Sequence, residues 1–360
     1  MTRTLSSIDV IINEAAERIQ RCLRGRYLAL LLIAGAARGE VTFDVDGSLL
    51  SDLDFLVILP QSNVALAILE EYRCRRILRK LTETFAPYIL KKISVGFANS
   101  VPRFWEMATP LMWELRMNGR VLDGLKSVKE WPAIDHAEQI PPWEGVRLIA
   151  NRLCELLGAL GEYWEPSLGR RSAGDLRYAS IKMVLACSEA VLIEAHKYRA
   201  SYHERWNLHS SVAARFNTPQ NELIEAAYRA KIDSEQHILN LDAFQIAHAA
   251  LELAFSTLKS FGLATPTDLA ARTRTESPTA PGRIMDLAFF VRQLMVGRRA
   301  PWRRAIASVY ADGFALALKL ADDRHGVENT SALASNCRWL LRRFKQTPQV
   351  VSVLRAREPL

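Results

Sequence analysis

The residues best suited to chemistry open an apolar run, Ser51-Asp-Leu-Asp-Phe-Leu-Val-Ile-Leu59. Asp52 and Asp54 are two apart, and alternate side chains of a strand share a face, so both carboxylates point the same way. Such a pair is a hard-oxygen site for Mg²⁺, which takes one or two protein carboxylates and leaves its other positions to water and phosphate oxygens. Two acids at the head of a buried strand are costly without a partner, which argues against a plain solvent-facing pair. Upstream lies Ile33-Ala-Gly-Ala-Ala-Arg-Gly-Glu40. Its small residues, Ala34 and Gly35 first, let backbone N–H groups come close to a triphosphate. Arg38 adds a charge-assisted bond to phosphate, and Glu40 completes this cofactor-binding set. Turn and paired acids together outline a site for metal-assisted phosphoryl or nucleotidyl transfer. A second Asp-x-Asp, Asp44 to Asp46, runs into Gly47 and reads as a turn.

The elements that must hold these residues follow from patterning. The first twenty residues read as an amphipathic helix with acids every few positions, unlike a signal peptide. Tyr27–Ile33 and Asp52–Leu59 are continuous apolar runs of strand length, as strands buried on both faces show. Asn63 to Phe85 has helical spacing, Tyr88–Phe97 suits a third strand, and Arg103–Arg116 reads as helix before the turn dipeptide Asn118–Gly119. A Pro-containing linker spans 131–143. Beyond it, helices are expected near 144–163, 175–199, 220–230, 234–261, 284–298, 301–322 and 331–345, with a Thr-, Pro- and Ala-rich loop at Thr265–Pro281. The expected fold class is α+β. A small mixed-sheet domain (1–130) precedes an all-helical one (144–262), on which basic C-terminal helices (282–360) pack.

Other candidates carry less. His196, His203 and His209 gather around Tyr198–Trp206 and read as helix-surface histidines. Arg177 and Lys182 lie where a second domain would face the cleft; they read either as base or phosphate ligands or as a salt-bridged face. The five cysteines are scattered, odd in number and without a Cys-x-x-Cys pair, which points to a reducing compartment. No apolar run is long enough to span a bilayer, and a soluble cytoplasmic protein is expected.

The chain of 360 residues has 47 Lys plus Arg against 39 Asp plus Glu, a net charge of +8. From Arg283 onward there are 14 basic and six acidic residues, so the preceding 282 balance at 33 each. The whole excess sits in the last fifth of the chain. There Arg298, Arg299, Arg303, Arg304, Arg338, Arg342 and Arg343 alternate with Trp302, Trp339 and Phe344. Basic residues interleaved with aromatics suit an anionic partner such as nucleic acid; amphipathic helices with Arg-rich outer faces are the other reading.

The turn, Arg-Gly-Glu, a variable insert and Ser-Asp-hydrophobic-Asp resemble the signature of the DNA polymerase β-like nucleotidyltransferase superfamily, in particular its small stand-alone bacterial members. The resemblance covers about residues 25–125 and includes Trp113-Glu-Leu-Arg-Met-Asn-Gly-Arg-Val-Leu122. Arg177–Arg205 weakly resembles the helical partner domain such proteins carry. The resemblance implies Mg²⁺-dependent transfer of a nucleoside monophosphate from an NTP, ATP in the first instance, to an acceptor hydroxyl. Asp52 and Asp54 would then be the catalytic metal ligands. Two departures stand out. Ala34 replaces a family glycine, and Ser94, in Ile93-Ser94-Val95, takes the place of the third carboxylate. That acid binds a second metal or deprotonates the attacking hydroxyl. Glu40, Asp44, Asp46 and Glu114 are the candidates to substitute for it, and the sequence alone places none of them. The alternative is a catalytically degraded protein acting as a nucleotide-binding or regulatory module.

Overall fold

The computed structural model describes residues 5–44, 47–60, 64–86, 88–89, 93–99, 108–124, 136–164, 169–233, 241–276, 306–322, 334–338 and 340. It is an α+β chain with one small mixed sheet and a preponderance of helix. In order run α1 (Leu5–Leu23), β1 (Ala29–Ile33), α2 (Ala34–Arg38), β2 (Leu53–Leu59), α3 (Val64–Thr84), β3 (Ile93–Asn99), α4 (Pro110–Asn118) and β4 (Arg120–Gly124). Then come α5 (Pro142–Tyr163), α6 (Gly169–Glu194), α7 (Tyr202–His209), α8 (Thr218–Ile232), α9 (Ala243–Ser260), α10 (Pro266–Glu276) and α11 (Ile306–Asp322).

The strand order is β3-β2-β1-β4, with β2 parallel to β3 and β1 antiparallel to both β2 and β4. Period two divides β2 between two cores. Leu53, Phe55, Val57 and Leu59 pack with α1 and α3, and Leu56 and Ile58 pack with Met112 and Leu115 of α4. This double burial explains the unbroken apolar run. Asp54, and Asp52 before it, therefore belong to the α4 side of the sheet. A third and larger core is built from helices α5 to α9 with α11, and Leu50 from the segment before β2 joins it. No helix among the described residues is long and apolar enough to cross a membrane.

Expected elements and observed ones differ in three informative places. The small-residue turn after β1 is one short helix, α2, closed by Gly39 in the left-handed conformation. The expected loop from Thr265 is instead helix α10. Thr265 Oγ1 accepts from the Asp268 N–H at 3.2 Å, Asp268 accepts in return from the Thr265 N–H at 2.8 Å, and Pro266 stands at the first helical position. Residues that looked like loop composition are thus a helix start signal. Likewise the helix expected to run to 199 ends at Glu194, and a separate helix not expected from the sequence, α7, begins at a capping box of Ser201 and Glu204. The expected helix at 284–298 lies outside the described residues, as do Arg298, Arg299, Trp302, Arg303, Arg304, Trp339, Arg342, Arg343 and Phe344.

Candidate functional site

Asp54 sits within β2 and Asp52 immediately before it. Across the parallel pair, Asp54 is in register with Ser94 of β3, whose hydroxyl donates to Asp54 Oδ1. Asp52 Oδ2 accepts from Lys182 Nζ of α6 at 3.2 Å, and the pair is only partly covered, with side chains 23% and 18% exposed. Lys182 also lies 4.7 Å from the Tyr178 ring centre, one helical turn earlier. Burial opposes the charge on Lys182, but Tyr178 and Asp52 outweigh it and raise its pKa. Glu155 of α5, paired with Arg152 at 2.6 Å, adds a further acid near Lys182. Arg177 turns elsewhere and donates to the Leu241 carbonyl at 3.1 Å. Of the two basic residues of α6 singled out in the sequence, Lys182 reaches Asp52.

The segment after β1 is built tightly. Ala34 has φ +58°, a left-handed conformation that a Cβ disfavours. A Cβ on Gly35 would stand 2.6 Å from the Glu40 carbonyl oxygen, so the glycine is required by close approach of the chain to itself. Arg38 does not extend into solvent. Its guanidinium, 5% exposed, pairs with Glu40 and, at 3.0 Å, with Glu114 of α4, and lies 5.3 Å from the Tyr202 ring centre. Glu40 Oε1 accepts from the Tyr202 N–H at 2.8 Å. This ties α2 to the start of α7.

Behind that contact is a buried ionic web. Arg205 of α7, 1% exposed, pairs with Glu114 and with Glu189 of α6, donates to the Arg199 and Ala200 carbonyls, and lies between the Tyr198 and Tyr202 rings. The Tyr198 hydroxyl donates to Glu114 as well. Burial alone would push the Glu114 carboxyl up, but Arg205 and Arg38 hold it at about 2. For Glu189, burial prevails over Arg205 and its pKa rises. Asp44 opens a tight turn, with the Gly47 N–H donating to its carbonyl at 2.8 Å, and its carboxylate lies against Gly174 of α6. The turn reading of this segment therefore holds; Asp46 is outside the described residues. Glu40 and Glu114 are thus paired with Arg38 and Arg205 rather than with Ser94 or Asp54.

A group that sequence reasoning missed joins these parts. Lys231, near the end of α8, donates to Thr42 Oγ1 and Ser51 Oγ at 3.2 Å each and to the Tyr178 hydroxyl at 3.4 Å. Burial lowers its pKa. Burial would raise that of Tyr178, yet Lys182 and Lys231 turn the net shift downward. The pairing of Tyr178 with Lys182 at i,i+4 is the one signal in the sequence. Lys231 has none.

His209, expected on a helix surface, is instead buried. Its Nε2 faces Asn221 Oδ1 at 3.0 Å and its Nδ1 faces Ser188 Oγ at 3.1 Å. The Asn221 amide nitrogen is bound to the Ala213 and Phe216 carbonyls, which fixes the amide orientation and assigns the His209 proton to Nε2. Burial lowers the His209 pKa.

Among the described residues no group of three or more His, Cys, Asp or Glu is placed to hold a metal. The Asp52–Asp54 pair is the donor set that Mg²⁺ accepts with water and phosphate oxygens filling the remaining positions. Comparison with protein-family models, curated proteins and solved structures finds no match to this chain.

Proposed function

We propose that this chain binds a Mg²⁺–nucleoside triphosphate on a nucleotidyltransferase-like sheet backed by a helical domain, and that it acts as a nucleotide-binding or regulatory module. The observation that carries the reading is the Lys182–Asp52 contact. It brings an ammonium for phosphate beside two hard-oxygen donors for a divalent ion, from elements 130 residues apart in sequence. Asp52 and Asp54 would hold Mg²⁺, which when bound neutralises and orients phosphate oxygens. Lys182 contributes charge to the phosphate chain. Ala34 and Gly35 bring backbone close to it, and Arg38 with Glu40 hold that segment against α4 and α7.

Ser94 is what separates binding from chemistry. A hydroxyl stands opposite Asp54 where the resemblance expects a carboxylate, and Glu40 and Glu114 are paired with arginines. On this reading a transfer reaction would need a proton acceptor other than Glu40 and Glu114.

The intact Asp52–Asp54 pair favours a second reading, transfer of NMP from ATP or another NTP to an acceptor hydroxyl. Pyrophosphate release separates the two. Binding of Mg²⁺–NTP without pyrophosphate release across a panel of acceptor hydroxyls supports the module; release that disappears in Asp54→Asn supports the transferase.

A further inference from the structure

Lys231 is 3% exposed, and an ammonium has three N–H donors and no acceptor. Its three hydroxyl partners, Thr42, Ser51 and Tyr178, match those donors in number. They come from three different stretches. Thr42 follows the Arg38–Glu40 segment, Ser51 immediately precedes Asp52, and Tyr178 lies one helical turn before Lys182. The Thr42 N–H also donates to Ser51 Oγ at 2.9 Å, and the Leu50 N–H to the Thr42 carbonyl at 2.8 Å, so the first two stretches are already laced together. The ammonium lies 5.2 Å and 5.5 Å from the Tyr178 and Tyr202 ring centres. A Cβ on Gly35 would be 3.7 Å from Nζ, which places the amine beside the segment after β1 as well. Burying a cation against neutral hydroxyls is costly, and a methionine would fill the same space without that cost.

We propose that Lys231 is a positioning residue: it couples the docking of α8 to the geometry of the Asp52–Lys182 pair, so that the nucleotide site is complete only when the helices are seated on the sheet. Its regulatory meaning rests on the Mg²⁺–nucleotide reading; its structural content does not. Coupling between sites is reciprocal, so a ligand on Asp52 and Lys182 must in turn hold α8 down.

The test is hydrogen exchange together with Mg²⁺–ATP affinity on Lys231→Met, with Thr257→Val as control. Thr257 is a buried hydroxyl bonded to the Leu253 carbonyl on α9, a helix that carries none of Lys231, Thr42, Ser51, Tyr178 or Lys182, and its loss supplies a general destabilisation for comparison. Without nucleotide, Lys231→Met should raise exchange in 40–52 and 176–183 more than Thr257→Val does. With Mg²⁺–ATP, its Kd should rise about 10- to 100-fold while the control keeps the wild-type value. In the wild type, Mg²⁺–ATP should slow exchange in 218–232. If Lys231→Met does not fold, Ser51→Ala and Thr42→Val each remove one of the three bonds and should show part of the same pattern. Unchanged exchange in 40–52 in these variants overturns the proposal. A wild type that ignores Mg²⁺–ATP, with 40–52 still loosened in Lys231→Met, removes the nucleotide reading and keeps the coupling.

Discussion

Ser94 stands directly opposite Asp54 across the parallel β2–β3 pair and donates its hydroxyl to Asp54 Oδ1. On the proposed reading, a neutral donor occupies the place that the resemblance gives to a third acid. Ser94→Asp should therefore behave as a conditional variant. Without divalent ions, two carboxylates in register repel, and the melting temperature should fall. Mg²⁺ should restore it and bind more tightly than in the wild type. Melting curves in chelator and in Mg²⁺ check this, and a variant indifferent to Mg²⁺ would remove the metal from this face.

Ala34 and its neighbour Gly35 predict opposite outcomes for two changes of one methyl group. With φ at +58°, Ala34 pays for its Cβ, so Ala34→Gly should stabilise by about 1 kcal/mol after the added freedom of the unfolded chain is counted. Gly35→Ala places a Cβ 2.6 Å from the Glu40 carbonyl oxygen and should destabilise and displace Glu40 from Tyr202. Urea midpoints at constant slope measure both.

The web around Arg205 makes two related predictions. Arg205→Met leaves Glu114 and Glu189 buried without their shared cation, and breaking such a pair costs about 3–5 kcal/mol. Glu114 is held at about 2, below the ordinary 4.5, so its contribution is present above 4.5 and lost as pH falls toward 2. Glu189, raised by burial, acts with the opposite sign. Glu114→Gln should flatten the acid limb of a stability–pH profile between about 4.5 and 2, and a limb of unchanged slope would contradict the pairing.

His209 titrates in the other direction. Burial lowers its pKa below the ordinary 6.5, so the unfolded chain binds the proton more readily. Stability is full above 6.5 and declines as pH drops through that value. His209→Gln should lose this decline while keeping a contact to Asn221; urea midpoints at pH 7.5 and 5.5 decide.

What the sequence discloses and what it hides divide along a physical line. The strands are legible because both faces of β1 and β2 are buried, which leaves continuous apolar runs, and Asp52 and Asp54 are legible because they interrupt such a run at its head. Thr265–Pro266 misleads because the residues that break one helix also start another. Arg38 resembles a phosphate ligand because an isolated arginine carries no mark of Glu114, which is 76 residues away. Lys231 is hidden more completely. Its partners lie 53, 180 and 189 residues distant, and a buried lysine on an amphipathic helix has the same spacing as a surface one.

A thermal-shift titration with ATP addresses the proposed Mg²⁺–nucleotide site on Asp52 and Asp54. Wild type and Asp52→Asn/Asp54→Asn are each measured with Mg²⁺ and with chelator. Ligand at 100 times its Kd stabilises the folded state by about 2.7 kcal/mol. The melting temperature of the wild type should rise only with ATP and Mg²⁺ together, and this rise should be lost in the double variant. An equal rise in the double variant, or none with any nucleoside triphosphate in the wild type, would contradict the proposed site.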